Sequence, residues 1–248
     1  MKKTLLSILD QDYKNIEVWV ISNGRNEENR LVVTSLQDQR LRYLELEKNT
    51  GGPSGPRNFG IEHAKGVYVA FCDDDDLWTA DKLSKQVKAL EENPQYGLCY
   101  AKMLRFDDKH EWSVPHEEGP ATLASLLYEN TVPISAVIVR KHLLEKIGHF
   151  SESKLIGSSE DYEFLLRHAA YTDFYFIDEY LIKYWSGNDR MTPKLQNVKG
   201  LMTYLLQVLA SYRSLWKTKK IRWIKLVRPT LFHLKYFVKN IIYLPFSV

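Results

Sequence analysis

The sequence predicts an α/β protein with a doubly wound, mostly parallel, Rossmann-like sheet and a helical basic extension at its C-terminal end. Short apolar runs alternate with segments of helical spacing over residues 16–106, a rhythm typical of βαβ units. Residues 67–72 are six apolar residues, too few for a helix, and indicate a strand buried on both faces. Residues 190–248 differ in kind, with twelve Lys or Arg and no Asp or Glu.

Periodicity and capping residues set the limits of the elements. The predicted strands are residues 16–21, 41–46, 67–72, 97–106, 133–140, 174–177 and 180–185. The predicted helices are residues 3–9, 27–36, 80–92, 123–128, 141–147 and 159–168, with one more between a glycine-rich loop at 49–58 and Gly66. Asn93-Pro94 and Gly148 end two of these helices, and Ser159 is a suitable N-cap.

Length and composition are those of an ordinary soluble protein. The 248 residues can bury a sizeable core in one domain, or in one domain with an appendage. Two cysteines, Cys72 and Cys99, lie in apolar runs, as buried thiols do in a reducing compartment. No signal peptide is visible, and no apolar run reaches the roughly 18 residues that span a bilayer. We therefore expect a cytoplasmic protein.

The charge is distributed unevenly along the chain. The net charge of +3 combines +12 in residues 190–248 with −9 in the remainder. We expect residues 1–190 to form the main domain and residues 191–248 to form an amphipathic, basic helical tail. A basic, aromatic tail on an acidic body predicts a polyanionic partner.

The tail has two interpretations. Apolar residues at helical spacing alternate with Lys and Arg, which predicts helices lying in an anionic membrane interface at the inner face of the membrane. Its aliphatic residues favour this partner over nucleic acid, which we do not expect. The alternative is a helix pair that packs on the body with its lysines in water. One helical face would hold Leu201, Leu205, Leu206, Leu209 and Tyr212.

Four carboxylates, Asp73 to Asp76, end the buried strand. Two carboxylates about 4 Å apart repel by roughly 4 kcal/mol at an effective dielectric near 20, so the run calls for a counter-ion. A hard divalent cation with oxygen ligands is one candidate. The other interpretation is a solvated turn that leads into the next helix, with Thr79 as its N-cap.

Two other predicted loops carry polar groups. Residues 22–24 are Ser-Asn-Gly, and the glycine-rich loop 49–58 brings free backbone N–H groups and Arg57 near a helix N-terminus. Ligands bind at the carboxyl ends of strands in such sheets. An anion-binding loop beside an acidic strand end predicts a nucleoside diphosphate bridged by a divalent cation.

Five motifs resemble those of family 2 glycosyltransferases with the GT-A fold, in family order over about residues 5–190. Residues 6–18 resemble the run S-(I/V)-L-x-Q-x-Y-x-N-x-E, and residues 56–60 resemble A-R-N-x-G. Residues 71–78 resemble F-L-D-x-D-D-x-W, which contains the D-x-D metal motif. Residues 147–150 resemble G-G-F, and residues 159–167 resemble x-E-D-x-D-x-x-x-R.

The resemblance implies roles for individual residues. Asp75 would be the direct ligand of Mn²⁺ or Mg²⁺, with Asp73 as the second ligand, nearer the ribose, while Asp74 and Asp76 would serve the turn and the helix start. The implied donor-binding set is Asn23, Arg57, Asn58, Asp73 and Asp74. Asp161 would be the general base, although Glu160-Asp161 could instead simply favour the dipole of a helix N-terminus. Glu160 and Trp185 are candidates for the acceptor site.

Three departures from the family pattern stand out. The opening strand of type V-S-V-I-I-P-x-Y-N, central in the family's sheet, is not in this sequence. The usual D-D-G-S is Ser-Asn-Gly-Arg at 22–25, and residues 183–188 hold no histidine metal ligand. Trp185 would stack on a sugar or fill the core.

Two functional hypotheses result. The first is a metal-dependent, inverting glycosyltransferase that uses a nucleotide-sugar donor and a carbohydrate or lipid-linked acceptor at the cytoplasmic membrane face. The second is a catalytically inactive, membrane-associated binding module, which the missing strand and the changed positions favour.

Overall fold

The computed structural model describes residues 1–114, 119–187 and 198–242. The strands are β1 (Val18–Ser22), β2 (Leu41–Glu45), β3 (Tyr68–Ala70), β4 (Leu77–Trp78), β5 (Leu98–Phe106), β6 (Glu111–Trp112), β7 (Ile138–Arg140) and β8 (Phe174–Trp185). The helices are α1 (Lys2–Leu9), α2 (Glu27–Ser35), α3 (Ser54–His63), α4 (Lys82–Glu92), α5 (Leu123–Leu126), α6 (Lys141–Ile147), α7 (Glu160–Ala169), α8 (Val198–Lys217) and α9 (Ile224–Ile242). The α/β class and the helical C-terminal region are confirmed.

The strands form two sheets, and the expected mostly parallel pairing is wrong in detail. β1 and β2 pair in parallel, and the second sheet has the order β3-β7-β5-β8-β4, with β6 beside β5. In that sheet only the β5–β8 pair is parallel among the described strands. Alternation of strands and helices predicts parallel pairing only where strands that follow each other in the chain are also neighbours in the sheet. β3 instead pairs with β7, which enters from the opposite end.

Three element predictions need correction. Residues 133–140 are not one strand, because a 3₁₀ turn at Ile134–Ala136 precedes β7. Residues 174–185 form one irregular strand, because β8 continues through a register shift opposite Lys102. Thr79 is not the N-cap of α4, which begins after Asp81. The Thr79 hydroxyl instead donates to the Asp81 carboxylate at 2.7 Å.

Gln11, within the first recognised motif, joins α1 to α4. Its side chain is fully buried. Its Nε2 donates to the carbonyls of Ser7 (3.1 Å) and Thr79 (2.6 Å), and its Oε1 accepts from the amide of Leu83 (2.9 Å). A buried amide needs such partners, since an unpaired polar group costs about 1–3 kcal/mol.

Arg167, the last residue of the final motif, ties the last turn of α7 to the end of α6. Its guanidinium pairs with Glu163 and donates to the carbonyls of Ile147 (2.9 Å) and Gly148 (3.1 Å). Gly148 has φ +102°, a conformation that side chains rarely adopt. α6 therefore ends at a glycine turn whose carbonyls α7 captures.

A cavity of about 1180 Å³ separates the two sheets. Every residue of β1 and of β3 lines it. Because successive strand residues point to opposite faces, a cavity that touches all of them runs along the strand edges. In the described chain, β1 pairs only with β2 and β3 only with β7. The cavity is therefore a slot between two open strand edges of the described chain.

None of the helices in the described ranges has both the length and the apolar character needed to cross a membrane.

We expect the open edges to exchange backbone hydrogens quickly. Amides of β1 that face the cavity lack a strand partner, whereas β5 is paired on both sides. In a hydrogen-exchange experiment resolved by residue, alternate β1 amides should exchange well before those of Leu98–Tyr100. The β1 amides that bond to β2 are the internal control. Equal protection along the whole of β1 would show that the edge is covered.

Candidate active site

The acidic segment forms a tight turn whose backbone is held by buried partners. The amide of Asp76 donates to the carbonyl of Asp73 at 3.2 Å, and the Thr4 hydroxyl donates to the carbonyl of Asp74 at 2.7 Å. The amide of Asp73 donates to the hydroxyl of Ser135, a fully buried residue, at 3.0 Å. The turn therefore presents its carboxylates in a fixed geometry.

Asp76 is buried and does not cap the next helix, so its expected role at the helix start is wrong. Its Oδ1 accepts from the amide of Trp185 at 2.8 Å, which ties the turn to β8. Burial, and then the charge of Asp73, raises the pKa of Asp76 to about 8. A neutral carboxyl at this position removes one of the four charges from the turn at neutral pH.

Arg57 joins the acidic turn to α7. Its Nη2 donates to Asp73 Oδ1 at 2.6 Å, and its Nη1 donates to Glu160 Oε1 at 2.8 Å. The guanidinium lies over the ring of Phe150, 5.2 Å from its centroid. Burial opposes the charge of Arg57, but Asp73 and Glu160 outweigh it and raise its pKa. One cation thus holds two carboxylates from separate parts of the chain.

An aromatic cluster supports Arg57 from below. Phe150 stacks on Phe164 at 4.2 Å between centroids, and Phe71 meets both rings edge-on. Such pairs contribute about 0.5–1.5 kcal/mol beyond the apolar area that they bury. The three rings therefore pack the residue after β3, the segment before α7 and α7 itself against one another next to Arg57.

Asp161 lies beside this ion pair in the first turn of α7. Its Oδ1 accepts from the amide of Tyr162 at 2.6 Å, and its Oδ2 accepts from Asn130 Nδ2 at 3.3 Å. Burial and the charge of Glu160 raise the pKa of Asp161 to about 7, while Arg57 lowers it. A carboxylate that titrates near neutral pH is suited to accept a proton.

Glu160 is buried and half-paired. Its Oε1 bonds to Arg57, whereas its Oε2 has no hydrogen-bond partner in the described parts of the chain. A buried carboxylate oxygen without a partner is costly in a folded protein. Glu160 therefore leaves one strong acceptor free at the site, next to Asp161.

Asn23 and Asn58 contact protein rather than open space. Asn23 Oδ1 accepts from the amide and the hydroxyl of Thr50, and its Nδ2 donates to Gly52. Both polar atoms of Asn58 bond to the segment around Phe150. These amides shape the glycine-rich loop and the turn before α7.

Trp185 lies beside the acidic turn through its backbone bond to Asp76. Its ring meets Phe106 edge-on and covers Gly187, where an added Cβ would lie 2.4 Å from the indole. Asn188, the last position of the segment expected to hold a histidine in relatives, is outside the described residues.

The donor atoms at the turn suit a hard cation that a ligand helps to hold. No three His, Cys, Asp or Glu side chains of the described residues converge on a metal position. Burial, and then the negative charges of Asp73 and Asp74, raise the pKa of Asp75. A cation at the turn would offset this repulsion. Mg²⁺ is commonly bound by one or two carboxylates plus substrate phosphates. Asp73 and Asp75 fit that mode.

Sequence reasoning missed two polar residues of the site. Ser135 lies in an apolar run that reads as core, and Asn130 lies in a loop without a motif. A polar residue such as Ser135 inside a buried run was the one available signal, because it must find a partner.

Residues 1–152 match the sequence profile described as Glycosyl transferase family 2. The match spans more than half of the chain. The chain therefore belongs to glycosyl transferase family 2.

Curated relatives carry related names. An uncharacterized glycosyltransferase of Methanocaldococcus jannaschii is 26% identical over 230 residues, 89% of this chain and 76% of that protein. A Campylobacter jejuni protein named GalNAc(5)-diNAcBac-PP-undecaprenol beta-1,3-glucosyltransferase is 33% identical over 103 residues, 40% of this chain and 33% of that protein. The match to a Rickettsia bellii relative, 39% identical over 44% of this chain, spans only 16% of that protein's length.

Solved structures confirm the GT-A fold. Staphylococcus aureus TarS 1-349 in complex with UDP-GlcNAc has a TM-score of 0.64 at 19% identity, covering 98% of this chain and 77% of TarS 1-349. Mannosyltransferase PcManGT from Pyrobaculum calidifontis, in complex with GDP-Man and Mn²⁺, has a TM-score of 0.63 at 17% identity, covering 98% and 68%.

We expect removal of Arg57 to destabilise the protein and to shift Asp161. Arg57→Met leaves Glu160 buried without its cation, which should lower the free energy of unfolding by about 3 kcal/mol in urea denaturation. The pKa of Asp161, followed by carboxyl-carbon NMR, should rise because Arg57 now lowers it.

The matched control is Arg42→Met, which removes an exposed guanidinium 3.8 Å from Glu17. A surface pair contributes about 0–1 kcal/mol, so this variant should be nearly neutral. Equal losses of stability in the two variants would refute the special position of Arg57.

Proposed function

We propose that the chain is a metal-dependent, inverting glycosyltransferase that moves a sugar from a nucleotide donor to an acceptor hydroxyl. The observation that carries the proposal is the Arg57 bridge, because it brings Asp73 of the acidic turn and Glu160 of α7 to one guanidinium. Family membership supports the reaction class. Carboxylates for a donor cation and a carboxylate base then lie on two sides of one site.

Donor binding is assigned to the acidic turn and the glycine-rich loop. Asp75 and Asp73 would hold Mn²⁺ or Mg²⁺ together with the diphosphate, and the cation would neutralise the charge of the leaving nucleoside diphosphate. PcManGT was solved with GDP-Man and Mn²⁺, which supports this choice of cation. Asn23 orders the loop, Arg57 sets the position of Asp73, and Asp74 completes the turn.

Asp161 is proposed as the general base. A sugar hydroxyl is a weak acid and needs a carboxylate within hydrogen-bond reach to attack the anomeric carbon. Each oxygen of Asp161 accepts one hydrogen bond from the described residues, and each carboxylate oxygen has a further lone pair. Attack from the face opposite the leaving group gives inversion.

A carbohydrate or lipid-linked acceptor is proposed. The Campylobacter jejuni relative is named as acting on an undecaprenol-linked glycan, which supports a lipid-linked acceptor. Glu160, with its unpaired oxygen, and Trp185, whose backbone amide donates to Asp76 of the acidic turn, are the proposed acceptor-site residues. A lipid-linked acceptor would place the enzyme at the cytoplasmic face of a membrane.

The domain division is also a proposal. Residues 1–190 would form the transferase domain and residues 191–248 the basic extension. Of the latter, 198–242 are described, and they pack on the domain through α8. The hydroxyl of Ser159 donates to Gln207 at 3.0 Å across this contact.

A second candidate function is a binding module without catalysis. The open slot between β1 and β3 favours it, because the slot continues into the donor site at Asn23, Arg57 and Asp73. Such a chain would bind a nucleotide and Mn²⁺ in calorimetry but release no nucleoside diphosphate.

We expect substitutions at the two carboxylates to slow transfer strongly. Asp161→Asn removes the base, which should lower the rate by about 100-fold or more, and Asp75→Asn should weaken Mn²⁺-dependent donor binding. Release of nucleoside diphosphate from UDP- and GDP-sugars with Mn²⁺ is the assay. Asp108→Asn, in an exposed loop, is the control. Unchanged rates in both site variants would refute the assignment.

The pH dependence provides a separate test. Because Asp161 must be deprotonated to act and its pKa is about 7, kcat/KM should rise with pH and level off above about 8. The rise should vanish in the residual activity of Asp161→Asn. A profile that falls as the pH increases through neutrality would contradict a carboxylate base.

A further inference from the structure

The two C-terminal helices expose an unusual share of the large apolar side chains. Of the eighteen exposed large apolar residues in the described chain, eleven lie between residues 202 and 238. Single exposed apolar residues are normal on a protein surface, but a contiguous patch marks an interaction site.

α9 carries one long apolar stripe on its exposed side. Its members recur at three- and four-residue steps, with Trp223 directly before the helix: Trp223, Val227, Leu231, Leu234 and Val238. Trp223 is 64% exposed. The opposite flank instead faces the body, where His233 is buried and bonds to the carbonyl of Leu127. α9 is thus docked along one side and apolar along another.

α8 repeats the arrangement. Its buried face, Leu201, Leu205, Val208, Tyr212 and Leu215, packs on the body. Met202, Leu206 and Trp216 lie on another face and are exposed. Leu206 is therefore not part of the buried face to which its spacing assigned it.

An open groove of about 450 Å³ connects the two stripes. Trp216 and Arg213 of α8 line one side, and Trp223, Val227 and Leu231 line the other. The groove thus joins the exposed stripes at one end of the two helices. We call the exposed apolar residues of both stripes the tryptophan face: Met202, Leu206, Trp216, Trp223, Val227, Leu231, Leu234 and Val238.

Positive charge surrounds this surface. Residues 198–242 hold ten Lys or Arg and no Asp or Glu. Arg228, Lys235 and Lys239 follow a row of α9 next to the apolar stripe, and Lys217, Lys219 and Lys220 lie at the turn between the helices. An apolar stripe beside a basic row, with Trp at one end, is the pattern of helices that lie in a membrane interface.

We propose that the tryptophan face inserts into the interface of an anionic lipid bilayer, with α8 and α9 parallel to the membrane plane. The charge complements anionic headgroups, each Lys or Arg adding to the attraction. A second copy of the chain is a poor occupant, because two faces of like charge would meet. Nucleic acid is a poor occupant because the aliphatic side chains cannot stack on bases. The inference does not depend on catalysis.

Insertion would set the height of the active site above the bilayer. α8 packs directly on α7, whose first turn carries Glu160 and Asp161. Tyr212 donates to the carbonyl of Leu127, which follows α5, and Ser214 donates to Glu163 of α7, so side-chain hydrogen bonds as well as packing hold α8 against the body. These contacts connect the tryptophan face to the helix that carries Glu160 and Asp161.

Flotation with lipid vesicles tests the proposal. The full chain should float with vesicles of phosphatidylcholine and phosphatidylglycerol at low salt, and salt should weaken binding. Trp216→Ser with Trp223→Ser should weaken it about tenfold or more, as should Lys235→Glu with Lys239→Glu. Tryptophan emission of the native chain should shift to the blue on binding.

The controls separate the contributions. Leu31→Ser removes an equally exposed apolar side chain elsewhere, and Lys88→Glu reverses an exposed charge on α4. Both should bind as the native chain does, and circular dichroism checks that every variant is folded. Asp75→Asn should also bind normally, which keeps this test independent of transferase activity.

Three results would overturn the proposal. One is absence of vesicle binding by the folded native chain at low salt. Another is binding that the paired Trp and Lys variants retain in full. The last is a dimer in light scattering, or an oligonucleotide complex, that the Trp variants abolish while vesicles remain unbound.

Discussion

The site depends on the position of one guanidinium. Arg57 lies on α3, yet its two carboxylate partners come from the turn after β3 and from the first residue of α7. Breaking a buried pair of this kind costs about 3–5 kcal/mol, because the remaining charge is buried with neither solvent nor a partner. The same cation lowers the pKa of Asp161 against the burial that raises it. Fold stability and the protonation of Asp161 therefore depend on the same residue.

Second contacts fix this geometry from every side. Arg167 holds the last turn of α7 against the glycine turn at Gly148, and Asn58 holds the neighbouring segment at Phe150. Ser135 holds the backbone of Asp73 from the core. Sites that must place charges accurately need such supporting contacts. The polar residues of the motifs therefore position the carboxylates of the candidate site.

Much of the site could be predicted from the sequence because its residues lie in short, ordered motifs. The acidic turn and Glu160-Asp161 are both recognisable. The rule that ligands bind at the carboxyl ends of strands predicted that the polar loops would lie close together. The Arg57 bridge could not be predicted, since it joins residues far apart in the chain. The burial of Asp76 could not be predicted either, because the sequence does not show which of four adjacent Asp side chains the turn directs into the core.

The fold shows the same limit of local information. Helices α4, α6 and α7 begin and end close to the residues that periodicity and Gly148 indicate. The direction of the strands could not be predicted from local sequence, because β3 pairs with β7 and not with the next strand in the chain. Local sequence also did not predict which side of α8 is exposed. Leu206 has the spacing of the buried face, but its side chain is exposed.

Paramagnetic broadening by Mn²⁺ tests the central claim most directly, that the acidic turn and the start of α7 form one site. With Mn²⁺ and UDP or GDP added to the isotopically labelled chain, amide signals around Asp73, Asp75 and Asp161 should broaden together. Signals from α9 should stay sharp, and Asp75→Asn should remove the effect. Broadening at the acidic turn without any at α7, or broadening that Asp75→Asn leaves unchanged, would contradict the account.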